Sequence, residues 1–306
     1  MIQLIGINSP EIKRIKEELD KINANYNFSQ VGKVFIRTRT GFVNFNNIDL
    51  NKTNVVYLRS AMRFKQLYRQ LCSTLNFERV HIVNYRNDFL FGDKVSYTMA
   101  LTLKGIPVIP TSIFTKNSFE TVKKFNWQFP MVVKNPSLHR GRAVYKVNGK
   151  TELDEVVDSI SSNIILMQPF VKLKITKDYR SIYVGKYLGT MVRKATKEDE
   201  FRCNVALGGT ALKVTKIKKD KMFEEMTTKI ANTLKLDVFA IDYIKYYNTY
   251  AVLEINTAFQ FKGFEKATDI NVAKEIATYL ADKDFKHGKY RRGIVNGYKW
   301  THKNNR

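Results

Sequence analysis

The chain of 306 residues has only two cysteines, Cys72 and Cys203, and four histidines, His81, His139, His287 and His302. Two thiols so far apart make neither a disulfide framework nor a paired metal motif. The histidines show no ligand spacing, which argues against a zinc centre. No apolar run reaches the roughly eighteen residues of a membrane span. The opening MIQLIGINSPEIKR lacks the basic and apolar regions of a secretory signal. These absences predict a soluble, cytoplasmic protein without a membrane partner. Internal repeats and low-complexity tracts are also lacking. Acid is scarce: 28 Asp and Glu stand against 52 Lys and Arg, a net charge of +24. Such a field attracts polyanions, whether nucleic acid, acidic peptide or anionic lipid. With 44% hydrophobic and 12% aromatic residues, the chain has the material for a folded core.

The most informative stretch is Asp237 to Asn256, DVFAIDYIKYYNTYAVLEIN. It reads as two β runs joined by a short polar turn at Asn248-Thr249. Glu254 and Asn256 lie two apart and so share one strand face. Asp242 comes opposite them if the runs pair as a hairpin. Both runs are otherwise apolar, which predicts burial on both faces, and a buried carboxylate without a cation or partner is expensive. Two carboxylates and a carboxamide suit a Mg²⁺ that also holds nucleotide phosphates.

The rest of the chain falls around this hairpin. Residues 1–92 alternate strand and helix, with Ser9-Pro10 opening an amphipathic helix, and predict a parallel or mixed sheet covered by helices. Cys72 is expected on an apolar helix face. A second unit spans 93–282. Its first helix ends on Gly105, and an extended IPVIPTSIF follows. The β run MVVK ends on Lys134 beside a loop, a common arrangement for holding phosphate. In NIILMQPFV, Gln168 and Pro169 interrupt the strand, suggesting an edge or linker whose backbone groups could read an adenine ring. DYRSIYVGKYLGTMVRKAT predicts a hairpin turning near Gly185-Lys186, with Asp178 and Arg180 on one face. Arg202, Asn204 and Gly208-Gly209 read as an anion-facing loop, arginine being suited to charge on a transferred phosphoryl group. The lysines of KVTKIKKDK read as a solvated face. In the tail, 283–306, basic residues interleave with Phe285, Tyr290, Tyr298 and Trp300, a pattern that either binds single-stranded nucleic acid or packs its aromatics on the body.

Taken in order, these are Asp93-Lys94 before a helix and GIPVIPT, then MVVK, QPFV, Asp178-x-Arg180, FRCN followed by GG, FAIDYI, LEIN and GFEKATDINVA. From Asp93 to about Asp282 this order resembles the ATP-grasp superfamily, and within it the RimK-like carboxylate–amine ligases of the alpha-L-glutamate ligase type. The resemblance implies an α/β (α+β) ATP-grasp fold of two lobes, with a linker near 168–172 and a small α/β domain in front. It implies that Lys94 and Lys134 contact phosphates and that Gln168, Pro169, Phe170 and Val171 read adenine. Asp178 would lie near the ribose or the linker, with Arg180 beside it among the nucleotide contacts. Arg202 and Asn204 would face the γ-phosphate or the acyl phosphate and, with Arg193, form the catalytic set. Asp242, Glu254 and Asn256 would carry one or two Mg²⁺, with Mn²⁺ as the alternative ion.

Two departures stand out. The loop after Lys134, NPSLHRGRAV, keeps only Gly141 where the family is glycine-rich, so Arg140 and Arg142 would replace backbone amides as phosphate contacts. After LEIN comes Thr257-Ala258-Phe259-Gln260, where the family has a small residue, proline and glycine. The implied activity is ATP-dependent amide formation through an acyl phosphate, adding an amino acid, glutamate by family type, to the carboxylate of an acidic peptide or protein. Two other readings stay open on sequence: a binding protein of the same fold that engages nucleic acid or an acidic partner through the tail, and a ligase that macrocyclises a peptide.

Overall fold

The computed structural model describes residues 1–33, 35–39, 42–45, 48–49, 53–59, 65–77, 80–85, 94–136, 143–172, 177–194, 210–212 and 221–297. It comprises two compact units, one of residues 1–85 with 271–306 and one of residues 86–270.

The first unit is built on β1 (Ile2–Gly6), whose residues are all buried. Helix α1 (Pro10–Lys21) starts where the Ser9 hydroxyl accepts from the Ile12 amide at 3.3 Å, with Pro10 in the first turn, and buries Ile12, Ile15 and Leu19. Then come β2 (Tyr26–Gln30), β3 (Ile36–Arg39), β4 (Phe42–Phe45), β5 (Ile48–Asp49), β6 (Val55–Leu58), α2 (Lys65–Phe77) and β7 (His81–Ile82). The sheet β2-β1-β6-β7 is parallel throughout, as helix crossovers require. The run KVFIRT contributes β3 to a separate antiparallel sheet, β3-β4-β5. Cys72 is buried on α2, and burial pushes its thiol up to about 12.

The last helix, Val272–Gly297, belongs to this unit. Asn271 accepts from the Lys274 amide at 3.0 Å, donates to Glu18 at 3.1 Å and accepts from Arg14 at 3.3 Å, while Asn54 donates to Asp284 at 2.8 Å. Val272, Ala273, Ile276, Ala277 and Leu280 form its buried stripe. The domain boundary expected at 282 therefore falls inside a helix, and the second unit closes before it. An apolar stripe at helical spacing shows that a helix buries one face but not which sheet it covers.

The second unit contains two antiparallel sheets. Helix α3 (Lys94–Leu103) ends on Gly105 at φ 64°, with the Ile106 amide reaching the Leu101 carbonyl and the Gly105 amide the Thr102 carbonyl, as the sequence predicts. The first sheet uses β8 (Ser112–Thr115), β9 (Met131–Lys134), β10 (Val144–Val147) and β11 (Ile164–Pro169) in the order β10-β9-β11-β8, with α4 (Phe119–Val122) and α5 (Lys150–Ser159). Its core includes Val133, Val147, Leu153, Val157, Ile165 and Met167.

The second sheet uses β12 (Lys177–Val184), β13 (Tyr187–Lys194), β14 (Thr210–Leu212), β15 (Val238–Tyr246) and β16 (Thr249–Asn256) in the order β14-β13-β12-β15-β16. Helix α6 (Lys221–Leu234) covers it with Phe223, Ile230 and Leu234, and α7 (Lys262–Thr268) follows. The β12–β13 hairpin turns at Gly185-Lys186, Gly185 standing at φ 62°. The β15–β16 turn is Tyr247-Asn248, one residue before the position expected from the polar pair.

Candidate active site

Strand register lines up a row of charged side chains across the second sheet. Asp178 on β12 pairs with Arg193 on β13; Arg180, two residues along β12, pairs with Asp242 on β15; Asp242 pairs in turn with Glu254 on β16. Residues two apart or directly opposite share a sheet face, so all five, with Asn256, lie on one face.

Arginine forks join the row. Arg180 donates from Nε and Nη2 to Oδ1 and Oδ2 of Asp242, both at 2.7 Å. Arg193 donates in the same way to both oxygens of Asp178 at 2.6 Å, and its Nη2 also lies 3.0 Å from Asp242 Oδ2. Bidentate pairs of this kind hold their partners in one geometry. Burial alone would push Asp242 up, but Arg180 and then Arg193 overcome it and hold the carboxyl at about 2. Asp178 is pushed up to about 6, by burial first and by the Asp242 charge, against the pull of Arg193. The Arg193 guanidinium is held more firmly charged than usual, since the two carboxylates outweigh its burial.

Two lysines border the row among the described residues. Lys94, at the start of α3, sits 3.7 Å from Glu254 Oε1. Lys134, at the end of β9, donates to Gln168 Oε1 at 2.5 Å. Its ammonium is pulled down to about 8, by desolvation first and by Lys94 second, with Glu254 opposing. Lys94, Lys134, Arg180 and Arg193 together outnumber Asp178, Asp242 and Glu254 by one charge. A cationic excess at buried and partly buried positions is suited to a polyphosphate.

The donor set also fits Mg²⁺ that arrives with such a polyanion. Asp242 Oδ1 accepts one N–H and Oδ2 two, so Oδ1 keeps an acceptor position. The Glu254 side chain is 28% exposed, and Asn256 stands two residues on. Among the described residues no group of three or more His, Cys, Asp or Glu could hold a metal alone. Phosphate oxygens and water would therefore supply the remaining ligands.

The other expected site residues separate into three groups. Arg202, Asn204, Gly208-Gly209 and the arginines after Lys134 lie outside the described residues. Asp178, expected near the ribose or linker, is 6% exposed, and both its oxygens accept from Arg193. At the linker, pairing to β8 ends at Met167, whereas pairing to β9 continues through Pro169 and the Phe170 amide donates to Pro130 at 3.0 Å. The Gln168 side chain turns to Lys134 and Thr111, and Lys146 stands over the Phe170 ring at 4.6 Å. Sequence reading missed Thr111 and Lys146, and no local signal marks either. Beyond Asn256, Phe259 is buried against Phe261, ring centroids 6.2 Å apart, so an aromatic core residue stands near the turn where the family has a small residue.

No helix among the described residues is long and apolar enough to cross a membrane. A model of the RimK-like ATP-grasp domain matches residues 92–280. The glutamate–LysW ligase ArgX of Sulfolobus acidocaldarius is 27% identical over 286 residues, which cover 90% of this chain and 96% of that one. Human beta-citrylglutamate synthase B is 34% identical over 157 residues, 50% of this chain and 40% of that protein. Among solved structures, the ATP-grasp ligase PsnB complexed with a minimal precursor superimposes with a TM-score of 0.66 at 14% identity, covering 92% of this chain and 98% of that one, a likeness of fold. The family model takes in well over half of the residues, and with it this protein belongs to the RimK-like ATP-grasp family, the ATP-dependent carboxylate–amine ligases.

Proposed function

We propose that the enzyme attaches glutamate to a carboxylate of an acidic peptide or protein. The γ-phosphoryl of ATP passes to the acceptor carboxylate, giving an acyl phosphate and ADP. The amine of glutamate then attacks the acyl carbon, phosphate leaves, the amine gives up a proton, and an amide remains. The observation that carries this reading is the row Arg193, Asp178, Arg180, Asp242 and Glu254 on one sheet face, with Lys94 near Glu254. It supplies rigid cations where the charge of two phosphates and an acyl group must be neutralised together. Similarity to a glutamate–LysW ligase along nearly the whole chain supports glutamate as the amine, and the net charge of +24 supports an acidic acceptor.

In this reading Lys94 and Lys134 hold phosphates and residues 168–171 read adenine. Arg193, fixed by Asp178, and Arg180, fixed by Asp242, face the transferred group with Arg202 and Asn204. Asp242, Glu254 and Asn256 hold Mg²⁺, which when bound polarises the phosphoryl oxygens. The test is ADP release by purified enzyme with Mg·ATP, glutamate and an acidic peptide, beside Glu254→Gln. Peptide-dependent ADP release, with glutamate found in the product by mass spectrometry and lost in the variant, supports the assignment. Release with other amino acids but not glutamate overturns the substrate, and no release by folded enzyme overturns the reaction.

Binding of nucleic acid through the tail gains no comparable support. Phe285 is exposed on the last helix, but the side chains from 289 onward lie outside the described residues.

A further inference from the structure

We propose that Thr111 and Gln168 are positioning residues for Lys134, forming a one-way hydrogen-bond chain that anchors its ammonium to the strand carrying Glu254 and Asn256. The proposal rests on the reading of Lys134 as a phosphate contact. The chain runs through four groups. Lys134 Nζ donates to Gln168 Oε1 at 2.5 Å, Gln168 Nε2 donates to Thr111 Oγ1 at 2.8 Å, and Thr111 Oγ1 donates to the Ile109 carbonyl at 2.7 Å. The Ile109 amide in turn donates to the Val252 carbonyl at 3.3 Å, and the Val252 amide to the Pro107 carbonyl at 2.8 Å. Residues 107–109 are thus tied to β16 two residues from Glu254, with Val108 bridging Val252 in parallel.

Direction matters here. A hydroxyl has one proton, and the Ile109 carbonyl takes it, so Thr111 Oγ1 can only accept from Gln168. That fixes which end of the carboxamide faces which neighbour: nitrogen to Thr111, oxygen to Lys134. Reversed, the amide would point N–H at an ammonium and leave two donors face to face in a site where Gln168 is 5% exposed. The chain therefore does two things. It holds one of three ammonium donors, leaving two for phosphate, and it does so with a neutral carbonyl, so the full charge of Lys134 stays available. A carboxylate at 168 would hold the lysine equally well but cancel that charge. The chain also links the sheet that ends in Lys134 to the strand carrying the proposed metal ligands, so the two sets of phosphate contacts keep a fixed spacing.

The test compares wild type with Thr111→Val, which keeps the shape and removes the hydroxyl, Thr111→Ser, which restores it, Gln168→Met and Lys134→Met. Calorimetry measures dissociation constants for Mg·ADP and for adenosine, and thermal melting checks the fold. Thr111→Val and Gln168→Met are expected to weaken Mg·ADP about fivefold each, as loss of one oriented hydrogen bond predicts. Adenosine binding by Thr111→Val and Lys134→Met is expected to stay at the wild-type value, Gln168→Met being compared on Mg·ADP alone because residue 168 also belongs to the adenine-reading segment. Thr111→Ser is expected to recover Mg·ADP binding, and Lys134→Met to weaken it by about tenfold or more. If Lys134→Met weakens Mg·ADP but Thr111→Val and Gln168→Met do not, the chain is refuted and the phosphate role of Lys134 stands. If Lys134→Met binds Mg·ADP as wild type, the phosphate role itself falls. Equal losses for adenosine and Mg·ADP, a collapse in melting temperature, or failure of Thr111→Ser to restore binding would each reduce Thr111 to a structural residue and overturn the proposal.

Discussion

Arg193 and Asp178 face each other across β13 and β12, joined by two hydrogen bonds of 2.6 Å, while the Arg193 Nη2 that bonds Asp178 also reaches Asp242 Oδ2 at 3.0 Å. Asp178 thus aims a guanidinium along the sheet toward the carboxylate that Arg180 also holds. The consequence is a cation whose direction is set before any substrate arrives, the condition under which charge in a site favours a transition state most.

Replacing Asp178 with Asn keeps the shape but turns an N–H₂ group toward one arm of Arg193. Breaking one half of a buried ion pair costs about 3–5 kcal/mol of stability. Turnover is expected to fall by about tenfold to a hundredfold, as loss of a charge-assisted pair implies. Urea unfolding and steady-state ADP release check the two effects separately. Because the Asp178 carboxyl is pushed up to about 6, protonation should loosen the same anchor in the wild type, giving kcat an acid limb near pH 6 that is absent from Asp178→Asn.

Glu254→Gln should behave differently, since this side chain is 28% exposed and meets Lys94 only at 3.7 Å. Stability is expected to change by less than about 1 kcal/mol, as for other exposed pairs. Turnover should drop by about a hundredfold or more if the carboxylate holds the metal. A titration of ADP release against Mg²⁺ would show the variant needing more of the ion, and chelation by EDTA should abolish turnover in both.

The alkaline side belongs to Lys134, pulled down to about 8 by desolvation and then by Lys94, against the attraction of Glu254. Phosphate needs the ammonium, so affinity for Mg·ADP should be level below pH 8 and fall by about tenfold per unit above it. Stability of the nucleotide-free enzyme runs the other way. Between about 8 and the ordinary value of 10.5 the unfolded chain holds this proton and the folded one does not, so the lysine makes the fold more stable as pH rises. Calorimetry in buffers of different ionisation enthalpy should detect proton uptake on nucleotide binding near pH 8–9.

Phe223→Ala tests the support beneath the site. The ring is 1% exposed and packs within 5.3 Å, centroid to centroid, of Tyr179, Tyr243 and Tyr250, whose strands carry the charged row. A loss of about 3–5 kcal/mol is expected from the cavity, read as a lower urea midpoint with little change in slope.

Much of the site was legible in the chain because it obeys short-range rules. Asp242, Glu254 and Asn256 declare themselves as polar interruptions of apolar β runs, and strand period alone puts Glu254 and Asn256 on one face. Gly105 and Gly185 mark a helix end and a hairpin turn because both hold positive φ, which other side chains resist. Asp178 and Arg180 were legible as neighbours on one face, but not in their partners. Register across β12, β13 and β15 makes Asp178 the anchor of Arg193 and gives Asp242 to Arg180. Thr111, next to a proline in an extended run, has no pattern of its own.

The sequence by itself determined which residues carry the donor types that the proposed phosphate and metal roles need, since donor type and strand period are local properties of the chain. Only the tertiary structure decided which of them touch, that the helix after Ile270 covers the first sheet, and that Gln168 faces Lys134 with its side chain. Those contacts join residues tens to hundreds of positions apart, and nothing in local spacing selects one strand register or one sheet over another; packing and charge pairing in the folded chain do.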